Sequence, residues 1–284
     1  MAKILSVLSG KGGVGKTLLT ASLGIQLARM GKKVLLIDGD MGLRNLDLVL
    51  GIENDCFYNI WDLAQGRSFT VETIINVRER LDFLAAAQKE TWEQILPEAI
   101  DTVLEDVGNQ YDFVLTDCPA GIGKGIEFAK KISDFFIVVL APSWASRRNA
   151  EKIILSMGRN DSMFVVLNQF AEKDETKVSF EEIIDGIDED IFGGVVPYSM
   201  ELDRLAHIGQ LTEFQEKGAF GEALSCVLNT VLNHRQYPDT KWKSVLHLAR
   251  IENESFYSKQ KAGNKRSNFQ WNQNRMAYKW RRRR

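Results

Sequence analysis

Apolar and polar positions alternate in blocks along the chain: short runs of Val, Ile, Leu and Phe, separated by longer stretches with apolar residues at helical spacing. Ile4–Leu8 predicts a strand, Lys16–Met30 a helix, and Lys33–Asp38 a second strand. Leu81–Ala86, Phe113–Asp117, Phe135–Leu140 and Phe164–Asn168 read as strands in the same way, and Val195–Pro197 adds a short one. Strands that are apolar throughout belong to a sheet covered on both faces, and helical segments between them make that sheet parallel. The expectation is one doubly wound, mainly parallel α/β domain over residues 1–235, with helices on both faces.

After the predicted helix Phe220–Asn233 the pattern changes. Gln236-Tyr237-Pro238-Asp239 breaks it, and then Trp242, Val245, Leu246 and Ala249 recur at helical spacing beside Lys241, Lys243, His247 and Arg250. Glu254–Asn274 is mostly polar and reads as a linker. Met276-Ala277-Tyr278-Lys279-Trp280 and four arginines follow. Residues 236–284 are therefore set apart as a basic C-terminal extension.

Charge sharpens that division. The formal net charge is −2, yet Arg235 to Arg284 holds 14 Lys and Arg against three acids, which leaves the remaining 22 basic and 35 acidic residues at −13. An acidic body with a basic tail points to an anionic partner for the tail, membrane or nucleic acid, the plain alternative being a solubilising tail. A hydrophobic content of 44% is ample for a core. Apolar runs such as Phe135–Pro142 are too short to span a bilayer, and Met1-Ala2-Lys3-Ile4 lacks the layout of a signal peptide. Cys56, Cys118 and Cys226 are widely spaced with no CxxC, which argues against a disulfide framework or zinc site and fits a reducing cytoplasm.

Gly10-Lys11-Gly12-Gly13-Val14-Gly15-Lys16-Thr17 fits the pattern GxxxxGK[ST]. Its glycines let the chain wrap closely, so that backbone N–H groups converge on phosphate oxygens at the start of a helix. Lys16 brings a point charge to the β and γ phosphates, and the Thr17 hydroxyl ligates Mg²⁺. The loop follows an apolar strand and opens a helix, the context this motif requires. ATP and Mg²⁺ are thus the expected ligands, and Mg²⁺-dependent ATP hydrolysis the expected activity. Asp38-Gly39-Asp40 ends the second strand, where doubly wound sheets place their ligands. Carboxylates there either orient the metal's waters and the attacking water or serve as turn formers. Asp117 ends an apolar strand, the arrangement that holds Mg²⁺ through water. Cys118 beside it reads as a buried cysteine, or as a thiol open to alkylation.

Lys11–Thr17 resembles the deviant Walker A loop of the MinD/ParA ATPase family, a SIMIBI-type group of P-loop NTPases. The run Asp38-Gly39-Asp40-Met41-Gly42-Leu43-Arg44-Asn45-Leu46-Asp47 is similar to the first switch of its MinD branch, written DxDxGLRNLD. GLRNLDLVLG (Gly42–Gly51) favours that branch over chromosomal ParA. The resemblance spans about Ala2 to Leu232. It implies that Lys11 reaches across an ATP-dependent homodimer to the partner's nucleotide, that Asp40 positions the hydrolytic water, and that Asp38 lies near the metal. Val165-Val166-Leu167-Asn168-Gln169 resembles the family's VVNR strand end. By that likeness Asn168 hydrogen-bonds adenine, with Pro197 and Tyr198 closing the base pocket. Cys118 stands where Ser is usual, and Asn149 where Asp is usual.

The resemblance further implies a cytoplasmic switch that becomes peripheral on the inner face of the cell membrane and positions the division site. Its partners would be a division inhibitor and an ATPase-activating protein of the Min type. Either Lys241–Ile251 or Met276–Arg284 could serve as an anionic-membrane segment, and the first could instead pack on the core. Aromatics among arginines suit nucleic acid as well. A ParA-like partition ATPase and an FlhG-like scaffold for flagellar or secretion assembly are the alternative readings.

Overall fold

The structure, a computed structural model, describes all residues except 1, 92, 93, 95, 96, 172–178, 186 and 282–284. For residues 97–101, 106, 124 and 262–281 it describes the backbone alone. Eight strands form one sheet: β1 (Lys3–Ser9), β2 (Val34–Asp38), β3 (Ile74–Arg78), β4 (Leu81–Leu84), β5 (Phe113–Ala120), β6 (Phe135–Leu140), β7 (Met163–Phe170) and β8 (Phe192–Pro197). Their order is β3-β4-β2-β5-β1-β6-β7-β8. All neighbours pair in parallel except β3 and β4, which are antiparallel. The mainly parallel doubly wound sheet is as expected, and each predicted strand is present.

Edge strand β3 was not predicted. Its five residues are at most half-buried and include Asn76 and Arg78, so it shows no continuous apolar run. It is held by the β4 ladder and by Arg78, whose guanidinium donates to the Thr212 carbonyl at 3.1 Å.

The helices are α1 (Lys16–Arg29), α2 (Leu46–Leu50), α3 (Ile60–Ala64), α4 (Thr70–Thr73), α5 (Pro97–Gly108), α6 (Lys124–Ile132), α7 (Trp144–Met157), α8 (Phe180–Ile184), α9 (Met200–His207), α10 (Ala219–Asn233) and α11 (Asp239–Arg281). Strand β2 shows why both sheet faces are covered. Val34 and Leu36 join Leu19, Leu23 and Leu27 of α1 in one apolar cluster, whereas Leu35 and Ile37 join Val103 and Val107 of α5 in another. Successive side chains point to opposite faces, so a strand that is buried at every position needs a layer on each side.

In the tail the structure decides between the two readings of one segment and corrects the reading of another. Trp242, Val245, Leu246 and Ala249 are all buried, so the apolar stripe of Lys241–Ile251 packs on the domain and is not a free interfacial face. Trp242 lies on the backbone of Gly194 in β8, where a Cβ would come within 2.4 Å of the indole. Val245 and Ala249 close against Ala219 and Ala223 of α10. Glu254–Asn274 is helical and continues α11, where the sequence suggested a linker. That stretch holds one glycine, Gly263, and no proline, and it consists mostly of Asn, Ser, Lys and Gln. With no proline to break it, a helix already nucleated by packing continues through these polar residues, which leave no apolar periodicity to read. The backbone of Met276–Arg281 belongs to α11, but its side chains and residues 282–284 lie outside the described residues. Among the described residues no helix is long and apolar enough to cross a membrane.

Candidate nucleotide site

The P-loop joins β1 to α1 at the C-terminal edge of the sheet. Lys16 Nζ donates to Asp117 Oδ1 at 2.5 Å, and the Thr17 hydroxyl donates to Oδ2 at 2.6 Å. Lys16 is 7% exposed and Asp117 1%, so an ammonium, a hydroxyl and a carboxylate from β5 meet in a site shielded from water. Thr20, one turn along α1, donates to the Lys16 carbonyl at 3.0 Å and lies 3.4 Å from Asp117 Oδ1. It steadies the same carboxylate, a role no sequence motif signalled.

The loop itself is clamped from β7. Gly15, the N-cap of α1, has φ 79°, and a Cβ there would fall 2.5 Å from Asn168 Nδ2. Only a residue without a Cβ tolerates both this conformation and this approach. Asn168, 4% exposed, donates from Nδ2 to the Val14 carbonyl at 2.9 Å. Its amide N–H thus braces the loop, a contact the adenine assignment had not anticipated. Gln169 beside it sits at φ 58° where the β7 ladder slips register, the kind of strained position that clusters at functional sites. Lys11 stands exposed on the same loop.

Asp38 is fully buried, and its oxygens accept the backbone N–H groups of Asp40 (2.9 Å), Asn45 (3.1 Å) and Leu46 (3.0 Å). Burial pushes its pKa up to about 7, and the neighbouring Asp117 charge adds to the rise. The carboxylate proposed as lying near the metal is therefore engaged in organising the loop over residues 39–46. Arg44 of that loop and Asp47 of α2 form a buried ion pair at 2.5 Å. Asp40 is half-buried, and burial also raises its pKa. Cys118 is 1% exposed, and burial pushes its thiol up to about 12.

Tyr198 follows β8, and its N–H donates to the Phe170 carbonyl at 2.9 Å, which ties the ends of β7 and β8 together. Pro197 is buried and Tyr198 half-buried. Asn253 of α11 donates to the Tyr198 carbonyl at 2.9 Å. This contact was not legible in the sequence, since Asn253 lies 55 residues further on.

Among the described residues no three thiol, imidazole or carboxylate groups gather as a metal cage. One carboxylate, one hydroxyl and one ammonium beside a glycine-lined helix N-terminus are instead the donor set for a magnesium polyphosphate, since Mg²⁺ takes few protein ligands and completes its shell with phosphate and water oxygens. Fold and site together define a P-loop ATPase.

Comparison with known proteins narrows the class. The sequence profile of a family described as AAA domain matches residues 2–161. The septum site-determining protein MinD of Bacillus subtilis is 34% identical over 202 residues, 68% of this chain and 75% of that protein. The MinC:MinD cell division complex of Aquifex aeolicus contains a chain 33% identical with a TM-score of 0.72, the match covering 84% of this chain and 98% of that one. MinD of Pyrococcus horikoshii, solved with Mg-ADP, is 27% identical with a TM-score of 0.70, the match covering 82% and 97%. The chain belongs to the MinD family of cell-division ATPases.

Proposed function

We propose that the protein is an ATP-driven switch that pairs with a second copy of itself, engages the membrane, and positions the division site through a Min-type partner. The observation that carries this reading is the meeting of Lys16, Thr17 and Asp117 beneath a loop whose other lysine, Lys11, faces solvent. In this reading Gly10, Gly12, Gly13, Val14 and Gly15 cradle the phosphates with backbone N–H groups, and Lys16 turns from Asp117 to the β and γ phosphates. Thr17 and Asp117 would hold Mg²⁺, which would supply positive charge to the phosphates. Asp38 keeps the loop over residues 39–46 in place. Asp40, at its start, orients the attacking water. Lys11 supplies its charge to the partner's nucleotide, which makes pairing and hydrolysis one event. Asn168, Pro197 and Tyr198 bound the base.

A relative solved with MinC supports a Min-type protein partner. For membrane engagement the burial of Trp242, Val245, Leu246 and Ala249 leaves the distal part of α11 as the contact. From Glu254 onward ten Lys and Arg meet one acid. Each basic residue near anionic lipid adds about 1 kcal/mol, and two tails in a dimer act together.

The test is co-sedimentation with anionic liposomes under ATP and ADP, comparing the full chain with Lys16→Ala and with a chain ending at Lys261. A cut after residue 234 would remove Trp242 from the core, so the shorter deletion is the informative one. Pelleting that requires ATP, Lys16 and residues 262–284 supports the reading. Protein that stays in the supernatant with ATP yet binds DNA or RNA would replace it with a partition ATPase.

A further inference from the structure

The two sides of the P-loop differ. Lys16 and Thr17 converge with Asp117 on β5, to one side of β1. Thr17 and Asp117, the residues that would hold magnesium, lie on that side, so the terminal phosphates it would neutralise are expected toward β5. A nucleoside at the other end of the phosphate chain must leave the loop in the opposite direction, over the ends of β6, β7 and β8. There Asn168 touches the loop from β7, and the turn after β8 is joined to β7 through Tyr198 N–H and the Phe170 carbonyl.

That turn is held from behind by α11. Asn253 Nδ2 donates to the Tyr198 carbonyl at 2.9 Å, and Asn253 Oδ1 accepts the Met200 N–H, also at 2.9 Å. Met200 is the first residue of α9, so one side-chain amide fastens both the strand end and the start of the next helix. Asn253 is itself well anchored. Trp242, Val245, Leu246 and Ala249 fix the preceding three turns of α11 in the core. Glu252 accepts the Ala219 N–H at 3.2 Å, which pins the same turn to the start of α10.

We infer that Asn253 is a positioning residue for nucleotide binding, through which the C-terminal helix sets the wall of the site on the nucleoside side. The inference rests on the ATP-binding reading above. It extends that reading to a residue of the basic extension and couples the segment carrying the tail to nucleotide affinity. The mechanism is pre-organisation. With Asn253 in place, residues 197–200 have a single arrangement before the nucleotide arrives, and binding need not order them.

The test compares the full-length protein with Asn253→Ala and with the near-isosteric Asn253→Asp, which keeps the acceptor for Met200 but sets a carboxylate against the Tyr198 carbonyl. Affinities for Mg·ATP and for Mg·tripolyphosphate, which has no nucleoside, are read by displacement of a fluorescent ATP analogue. Thermal melting establishes that each variant is folded. Both variants are expected to bind ATP at least roughly fivefold more weakly, the scale of one lost net hydrogen bond, while tripolyphosphate is unaffected. A general loosening of the fold would weaken both ligands alike, and that result overturns the inference. Unchanged ATP affinity overturns it too. If one variant fails to fold, the other decides. A wild-type protein that does not bind ATP at all would remove the nucleotide reading itself, a failure distinct from either of these.

Discussion

Replacing Trp242 with Ala tests whether the apolar stripe of the basic extension is core or interface. The side chain is 1% exposed. It meets Phe192 and Tyr237 edge-on, with ring centroids at 6.3 and 5.8 Å. A buried Trp removes about 150–250 Å² from water, worth roughly 4–6 kcal/mol at about 25 cal/mol per Å². The two edge-on pairs add about 0.5–1.5 kcal/mol each. Against this, the indole Nε1 is buried with no hydrogen-bond partner among the described residues, so its removal recovers about 1–3 kcal/mol. Alanine also keeps part of the burial. The expected net loss is about 3–5 kcal/mol, the usual range for Trp truncation in a core. Urea unfolding followed by circular dichroism gives the number, and limited trypsin digestion at Lys241 and Lys243 shows whether the start of α11 comes loose. A loss under about 1 kcal/mol, with unchanged proteolysis, would refute the packing argument and return Lys241–Ile251 to the role of an interfacial segment.

Two further outcomes follow from the site. Gly15→Ala combines a left-handed backbone at φ 79° with a Cβ 2.5 Å from the Asn168 amide; strain of about 1–2 kcal/mol plus the displaced brace should leave a folded protein with ATP binding at least about tenfold weaker, read by calorimetry. Cys118 should resist maleimide at neutral pH because it is 1% exposed, whereas half-buried Cys56 labels sooner, although burial raises both thiols, to about 12 and about 11. Mass spectrometry of native and unfolded protein separates the two, and rapid native labelling of Cys118 would contradict its burial.

Much of the sheet and the phosphate loop were legible because their determinants are local. β1, the glycine loop and α1 form one continuous stretch, and each apolar run between turns reports a strand buried on both faces. Asp117 could be picked out because it ends such a run. The sequence could not show that Asn168 braces the loop through the Val14 carbonyl, because that contact joins residues 154 apart. Nor could it show that Asp38 serves the backbone of residues 40–46, since an Asp at a strand end is compatible with either task until the loop has a path. Edge strand β3 escaped because a half-buried strand carries no continuous apolar signal.

The extension shows most clearly what pattern alone leaves open. Trp242, Val245, Leu246 and Ala249 announced an amphipathic helix in the sequence, and an amphipathic helix suits a membrane and a protein core equally well. Only the assembled domain, which brings Gly194 and the start of α10 beneath that stripe, decided that it is core. The sequence by itself determined which residues would seek burial and which loop carries the phosphate-binding pattern. Tertiary structure decided what each apolar face meets and which polar groups share a hydrogen bond, because those depend on distances between segments that no local spacing encodes.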